Sequence, residues 1–489
     1  MKLRLLATVC LSLAFAAHCL AGQDAAVEAS RLELQGQFKQ AANLLSTALK
    51  ENSLPAAQRQ KLEFELDRLH RIKEDFPLTK AELFDGLKGS VMNLTPAEYE
   101  QWLKEGRFDY RDIDGTRYYM NDSVRNLYMR YPELDARRLH PKDSAALENA
   151  RLASIRSIKS AALAAKTPYV LPKRFQVTMT VTAKPNAAPA GEIIRAWIPI
   201  PRQYPFQDDF KLLTTSSPVK NLDDAQSPIR SVYLEQPAQA GKPTVFRIEY
   251  DYTARGVWFD PKPEDVRPCD PDDAAVKEYT REAPHVVFTP ELRRLSQQIV
   301  GTETNPYWKA KKCYDWVGEH ILYSYAIEYS TIRNISDYCR SKGYGDCGQE
   351  ALLFIALCRL NGVPARWQSG WNLFSGDKSN HDWSEIYLAP YGWMPVDPYM
   401  GLWTVHYANT LTPDQKRELR DFYFGGLDQY RMIANSDHSQ ALRPPKRTMR
   451  SDDVDFQRGE LEWDNHNLYL DQFSYSLTTK EVPLAAVTP

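Results

Sequence analysis

Apolar residues return every three or four positions between about Asp24 and Phe76. Leu34, Phe38, Ala41, Ala42, Leu45, Ala48 and Leu49 form one stripe, and Leu62, Leu66 and Leu69 form a second. That period predicts amphipathic helices on either side of a break at Asn52-Ser53-Leu54-Pro55. One helical hairpin falls short of the three or more units that a repeat array needs, so the segment reads as a packing arm. Another helix is predicted from Thr95-Pro96-Ala97-Glu98: Thr95 can cap it, Pro96 has its φ preset, and Glu98 can close a capping box. Asp114-Gly115 predicts a tight turn between two short strands. From about Pro172 the period changes to two. Phe175, Val177, Met179 and Val181 alternate with polar residues, as do Phe246, Ile248, Tyr250 and Tyr252. Strands joined by long polar loops predict a β-sandwich.

Helical signals return after Pro284. Thr289-Pro290 and Asn305-Pro306 are cap-plus-proline starts, and Gly301 can close the first of these helices. The run Ala351 to Leu360 is apolar on nearly all sides, which predicts a buried helix ending at Asn361-Gly362. From His381 the period is again two, with His381, Trp383, Glu385 and Tyr387 on one face. A turn at Pro390-Tyr391-Gly392 would return the chain as an antiparallel strand from Trp393 to Val396. Glu460-Leu461-Glu462-Trp463 and Leu468-Tyr469-Leu470 read as two short strands across Asn465-His466-Asn467. The fold class expected is α+β and multidomain. The divisions are a mostly helical region over 22–165, the sandwich over 170–260, a helix-and-sheet domain over 284–402, and an extension with short strands over 403–489.

At 489 residues the chain is too long for one ordinary core. Residues 1–21 read as an export signal. Lys2 and Arg4 precede the apolar run Leu5 to Ala17, and small residues offer cleavage at Ala14-Phe15-Ala16 or Cys19-Leu20-Ala21. The run is shorter than the roughly 20 residues a membrane span requires. Net charge is −2 with both signs interspersed, which gives no case for nucleic acid or an anionic membrane as partner. Of seven cysteines, Cys269, Cys313, Cys339, Cys347 and Cys358 lie beyond the signal, and an odd number leaves at least one thiol free. The spacing is not that of a zinc site, and no calcium-loop pattern occurs, so no metal or cofactor is expected.

The chemistry is concentrated in three residues. Cys347 follows Gly345-Asp346 at the start of the buried helix. His381 opens the run Asp382-Trp383-Ser384-Glu385, and Asp397 ends Gly392-Trp393-Met394-Pro395-Val396. Thiol acyl transfer needs a nucleophile, a base and a group that orients the base, and these residues supply them in that order. Amides and the positive dipole end at a helix N-terminus favour a thiolate, so a depressed Cys347 pKa is expected. Asp397 reaches His381 only if the hairpin between them is twisted or offset. Cys339, eight residues before Cys347 in a loop-like stretch, could reach it in a disulfide.

Gly345-Asp346-Cys347, Asn361-Gly362-Val363-Pro364-Ala365-Arg366, His381 to Tyr387 and Gly392 to Pro398 resemble the bacterial transglutaminase-like superfamily core. The resemblance runs from near Pro284 to Gly401. It implies a papain-like fold in which Cys347 is the nucleophile, His381 the base and Asp397 the orienting acid. It also implies a protein or peptide substrate. The superfamily includes cross-linkers, proteases and amide hydrolases, so water and an amine both stand as acceptors. A catalytically silent exported binding protein, using the helical arm and the sandwich, is the rival reading.

Overall fold

The computed structural model describes residues 25–484, apart from 52, 142 and 271. The expected export signal lies outside the described residues. Among those described, no helix is long and apolar enough to cross a membrane. The chain divides into two compact units. One takes the described residues up to Pro141 together with Tyr325–Thr331, and the other takes the rest.

The first unit opens with helices over 25–34, Phe38–Ala48 and Ala56–Asp75. The first apolar stripe does not belong to one helix. The chain turns at Gly36, whose φ is +74°, and a Cβ there would lie 2.7 Å from the Asp112 carbonyl oxygen. Phe38, Ala41 and Leu45 are buried beyond that turn, whereas Leu34 before it is left 81% exposed. Thr95 caps the helix Pro96–Lys104 as expected, accepting from the Glu98 amide. The Glu98 carboxylate is paired chiefly with the Arg137 guanidinium, at 2.5 Å. Asp114 and Gly115 join the antiparallel strands Tyr110–Ile113 and Thr116–Tyr119 with φ of +48° and +87°. Side chains of this unit hold the later segment Tyr325–Thr331. Arg71 Nη1 donates to Ser330 Oγ at 2.8 Å, the Glu328 amide donates to Asp75 Oδ2 at 2.9 Å, and Asn126 brackets the Tyr325 backbone.

In the second unit two five-stranded sheets face each other. One runs through Thr244–Trp258, Tyr169–Ala183 and Phe473–Val482, and the other through Glu460–Trp463, Ile193–Pro199 and Ser231–Pro237. Their inner faces bury Val177, Met179, Val181, Ile248, Tyr250, Ile198 and Leu234. Each such side chain contributes about 1.5–3 kcal/mol by leaving water. Residues read from sequence as a C-terminal extension thus supply strands to both sheets. Glu460–Trp463 pairs with His466–Leu468 as a hairpin and, on its other side, with Ile193–Pro199. Helix Ala145–Ala165, grouped from sequence with the N-terminal helices, belongs to this second unit. Leu152, Ile155 and Ile158 pack with Val170, Met400, Leu419 and Phe422.

The third layer positions the site. A four-stranded antiparallel sheet orders Gly392–Val396, Ser379–Leu388, Ala365–Asn372 and Arg431–Asn435. Against it lies the helix Cys347–Leu360, buried at every residue from Gly348 to Arg359. Thr289 and Asn305 cap the neighbouring helices Pro290–Val300 and Pro306–His320, each with proline in the first turn.

Candidate functional site

Cys347 is the first residue of the buried helix. Asp346 caps that helix: its side chain accepts from the Gln349 amide at 3.1 Å and its carbonyl from the Glu350 amide at 3.0 Å. Cys347 is half-buried, and its Sγ donates to Asp382 Oδ2 at 3.7 Å. The depressed thiol pKa expected from the helix terminus is not what this surrounding produces. Burial first, and then the carboxyl groups of Asp382 and Asp346, push the thiol well above its ordinary range. A helix end is worth roughly 0.3–1 kcal/mol to an anion, too little against lost water and nearby carboxylates.

His381 sits near the start of the strand Ser379–Leu388 and is 4% exposed. Ser384 faces Val396 in the last pair of the hairpin. Continuing that register sets Asp397 opposite Trp383, so His381 is its diagonal neighbour on the same face. Diagonal neighbours lie about 7–8 Å apart along the backbone, within reach of long side chains. The offset is therefore real, and His381 Nε2 meets Asp397 Oδ2 at 2.8 Å. The His381 ring also lies 5.2 Å from that of Tyr399.

Asp397 has no exposed surface and caps the helix Pro398–His406, with Oδ1 accepting from the Met400 amide at 3.1 Å. Its Oδ2 also pairs with Arg431 Nη2 at 2.9 Å. Burial works to raise the Asp397 pKa, but His381 and Arg431 outweigh it and hold the carboxyl below the usual carboxylate range. Burial is the largest influence on His381 too, and holds it below its ordinary value against the pull of Asp397. The resting pair is thus a carboxylate and a neutral imidazole. An ionised Asp397 only accepts, so Nε2 carries the proton and Nδ1 is the basic nitrogen.

Arg431 escaped sequence reasoning. It stands on Arg431–Asn435, which pairs with Ala365–Asn372 across an irregularity between Ser369 and Gly370. A Cβ at Gly370 would lie 1.8 Å from the Met432 carbonyl oxygen, so only glycine lets that strand close up. The guanidinium rests over the Trp383 ring at 5.2 Å and reaches Asp428 at 3.4 Å. Gln457 also escaped. Its Nε2 donates to Asp382 Oδ1 at 2.5 Å and to the His381 carbonyl at 3.0 Å, gripping two successive residues of the histidine strand. Asp382 itself is 4% exposed. Burial, Asp455 and Asp346 raise its pKa well above the ordinary value, against the Cys347 hydrogen bond and Arg458.

All five described cysteines are free thiols. Cys339 is not in a loop: it is fully buried on the helix Ile335–Lys342, so it forms no bond to Cys347 here. Burial lowers the pKa of half-buried His285 to about 4 and of fully buried His438 to about 3, so both are neutral. Among the described residues, no group of three or more His, Cys, Asp or Glu is arranged to hold a metal ion.

With this geometry in view, residues 293–398 match the transglutaminase-like superfamily core domain. These residues are a transglutaminase-like core. The matched span contains Cys347 and His381 and ends one residue after Asp397. The chain as a whole is an α+β protein in which N-terminal helices and several antiparallel sheets accompany that core. An uncharacterized protein of Haemophilus influenzae is 26% identical over 145 residues, covering 25% of this chain and 39% of that protein. The uncharacterized protein YebA of Bacillus subtilis is 26% identical over 129 residues, covering 22% of this chain and 17% of its own length. The chain therefore spans well under half the length of these two curated relatives. Among solved structures, a candidate cysteine protease of Cytophaga hutchinsonii superposes with a TM-score of 0.42 at 15% identity, covering 65% of this chain and 93% of that one. The periplasmic domain of TgpA from Pseudomonas aeruginosa does so with a TM-score of 0.26 at 13% identity, covering 47% and 98%.

Proposed function

We propose that this protein is an exported cysteine acyltransferase or amide hydrolase that acts on glutamine-type or peptide carboxamides through a thioester at Cys347. The observation that carries the reading is the buried His381–Asp397 pair at 2.8 Å, backed by Arg431, within the same core as a half-buried thiol at a helix N-terminus. A neutral imidazole with Nε2 committed to Asp397 is the form of histidine that takes a proton from a thiol. In the first step Sγ bonds to the carboxamide carbon while its proton passes to His381. The tetrahedral adduct then expels the amine, which leaves with that proton, and a thioester remains. Water or a second amine attacks the thioester carbon, and the sulfur regains its proton. The raised thiol pKa supports proton transfer concerted with attack rather than a stored thiolate.

Product analysis of a carboxamide library, with and without added primary amines, tests this directly. Free acids identify hydrolysis, and amine adducts identify transfer. Cys347→Ala should lower turnover at least about a thousandfold while leaving the fold intact. Wild-type turnover in that variant overturns the assignment. A folded wild-type protein that turns over nothing in the library favours the exported binding protein instead.

A further inference from the structure

The carboxyl group that accepts from the thiol is not the one that pairs with the imidazole. Asp382 Oδ2 lies 3.7 Å from Cys347 Sγ, and Gln457 Nε2 fixes the other oxygen at 2.5 Å. The same amide nitrogen donates to the His381 carbonyl at 3.0 Å, so the Asp382 side chain is tied to the strand that carries the base. Asp382 and Gln457 are 4% and 3% exposed, so the carboxyl side of this contact is withdrawn from water.

The geometry points to Asp382 as a further catalytic residue, whose carboxyl group governs how readily Cys347 gives up its proton. This rests on the reading of Cys347 as the nucleophile. A carboxyl group at that distance has two opposite effects. When ionised, it accepts the S–H bond, and its charge opposes a second negative charge on sulfur. When protonated, its hydroxyl can donate to the thiolate and stabilise it. One proton is thus shared between Sγ and Oδ2, separately from the proton that passes to His381. Losing it from Asp382 should make the thiol a weaker acid and slow attack.

The groups that face this pair set where the exchange occurs. Asp346 comes from the cap of the cysteine helix and Glu350 from one turn further along it. Asp455 and Arg458 come from the C-terminal segment, with Arg458 also bound to Asp452. Carboxyl groups outnumber the cation, which favours the protonated form of Asp382 and agrees with its raised pKa. The thiol should therefore be the stronger acid where Asp382 keeps its proton, and thiolate should build up only shallowly with rising pH once Asp382 has ionised. A thiol enzyme lacking this carboxyl would gain thiolate, and with it reactivity, over the same rise.

The test is the pH profile of Cys347 alkylation, followed by peptide mass spectrometry so that the half-buried Cys269 is resolved from it. Asp382→Asn removes the ionisation but keeps a donor and the shape. Alkylation in that variant should follow a simple single rise with pH. Below the pH at which wild-type Asp382 ionises the two proteins should react alike, and above it the variant should be about tenfold faster, the equivalent of one pKa unit. Gln457→Met frees the carboxyl from its anchor and should move the profile in the same direction by a smaller factor, which keeps the test available if Asp382→Asn does not fold. Superimposable profiles for wild type and the folded variants would overturn the proposal. The readout needs no substrate. A shifted profile without turnover would show that Asp382 controls the thiol while sinking the functional reading and with it the catalytic role, and turnover with unshifted profiles would sink the role of Asp382 alone.

Discussion

Asp382 and Asp397 serve one small site and are about equally withdrawn from water, at 4% and 0% exposure, yet their surroundings push them in opposite directions. Asp397 meets a histidine, an arginine and a backbone amide, and it is held ionised. Asp382 meets a thiol, a neutral amide and further carboxyl groups, and its protonated form is favoured. Burial alone would have raised both. Partner charge decides between them, and the difference separates a fixed anion beside the imidazole from a neutral acid beside the thiol. The cation responsible is Arg431, which reaches one aspartate and not the other because Gly370 lets its strand approach closely.

Removing that cation should break the comparison most severely. Arg431→Met leaves Asp397 and Asp428 buried without their guanidinium, and loss of one partner from such a group costs about 3–5 kcal/mol. Urea unfolding should show that loss, and the acid limb of activity should move to higher pH as Asp397 becomes easier to protonate. An unchanged unfolding midpoint would mean that Arg431 is not what holds Asp397 ionised.

Glu350 sharpens the comparison at smaller magnitude. It lies one turn beyond Cys347, is fully buried, and neither carboxyl oxygen has a hydrogen-bond partner among the described residues. Burial, Asp346 and Asp397 raise its pKa well above 4.5. The sign follows from linkage. A raised folded pKa contributes stability that is full below about pH 4.5 and is lost as pH climbs towards the folded value. Asp397, with its lowered pKa, contributes stability that is present above its ordinary 3.8 and lost as pH falls below it. Glu350→Gln should therefore gain on wild type by about 1–3 kcal/mol between pH 4.5 and 7.5. Urea melts across that range measure the gap, and a gap that stays constant with pH would contradict the charge state assigned to Glu350.

The parts of this arrangement that were legible in the sequence are those written in local signals. Asp346 before an apolar run marks a capped, buried helix, and Asn361-Gly362 marks its end. The alternation from His381 and the glycine turn at Gly392 mark the hairpin whose offset brings His381 to Asp397. Arg431 and Gln457 carried no such mark. Arg431 enters because its strand pairs with Ala365–Asn372, more than fifty residues earlier, and Gln457 because the C-terminal chain returns across the site. Asp382 was in plain view beside His381, but adjacent strand residues alternate faces, and nothing local indicated that a thiol would lie within reach of it. For the same reason the sequence points to a depressed thiol pKa that the folded surroundings reverse. A helix terminus can be read from four residues, whereas the carboxyl groups around it come from three separate parts of the chain. The strands near the C-terminus were visible, but their place within the sandwich depends on pairing partners about 270–300 residues away.

The most direct test of the central claim is to trap the acyl-enzyme. Protein mixed with a slowly released glutamine-containing peptide anilide, quenched in acid and weighed intact, should gain the mass of the acyl group. Peptide mapping should assign that mass to Cys347, added amine should discharge it, and Cys347→Ala should show none. Turnover with no adduct in wild type, or the same adduct in Cys347→Ala, would contradict the account.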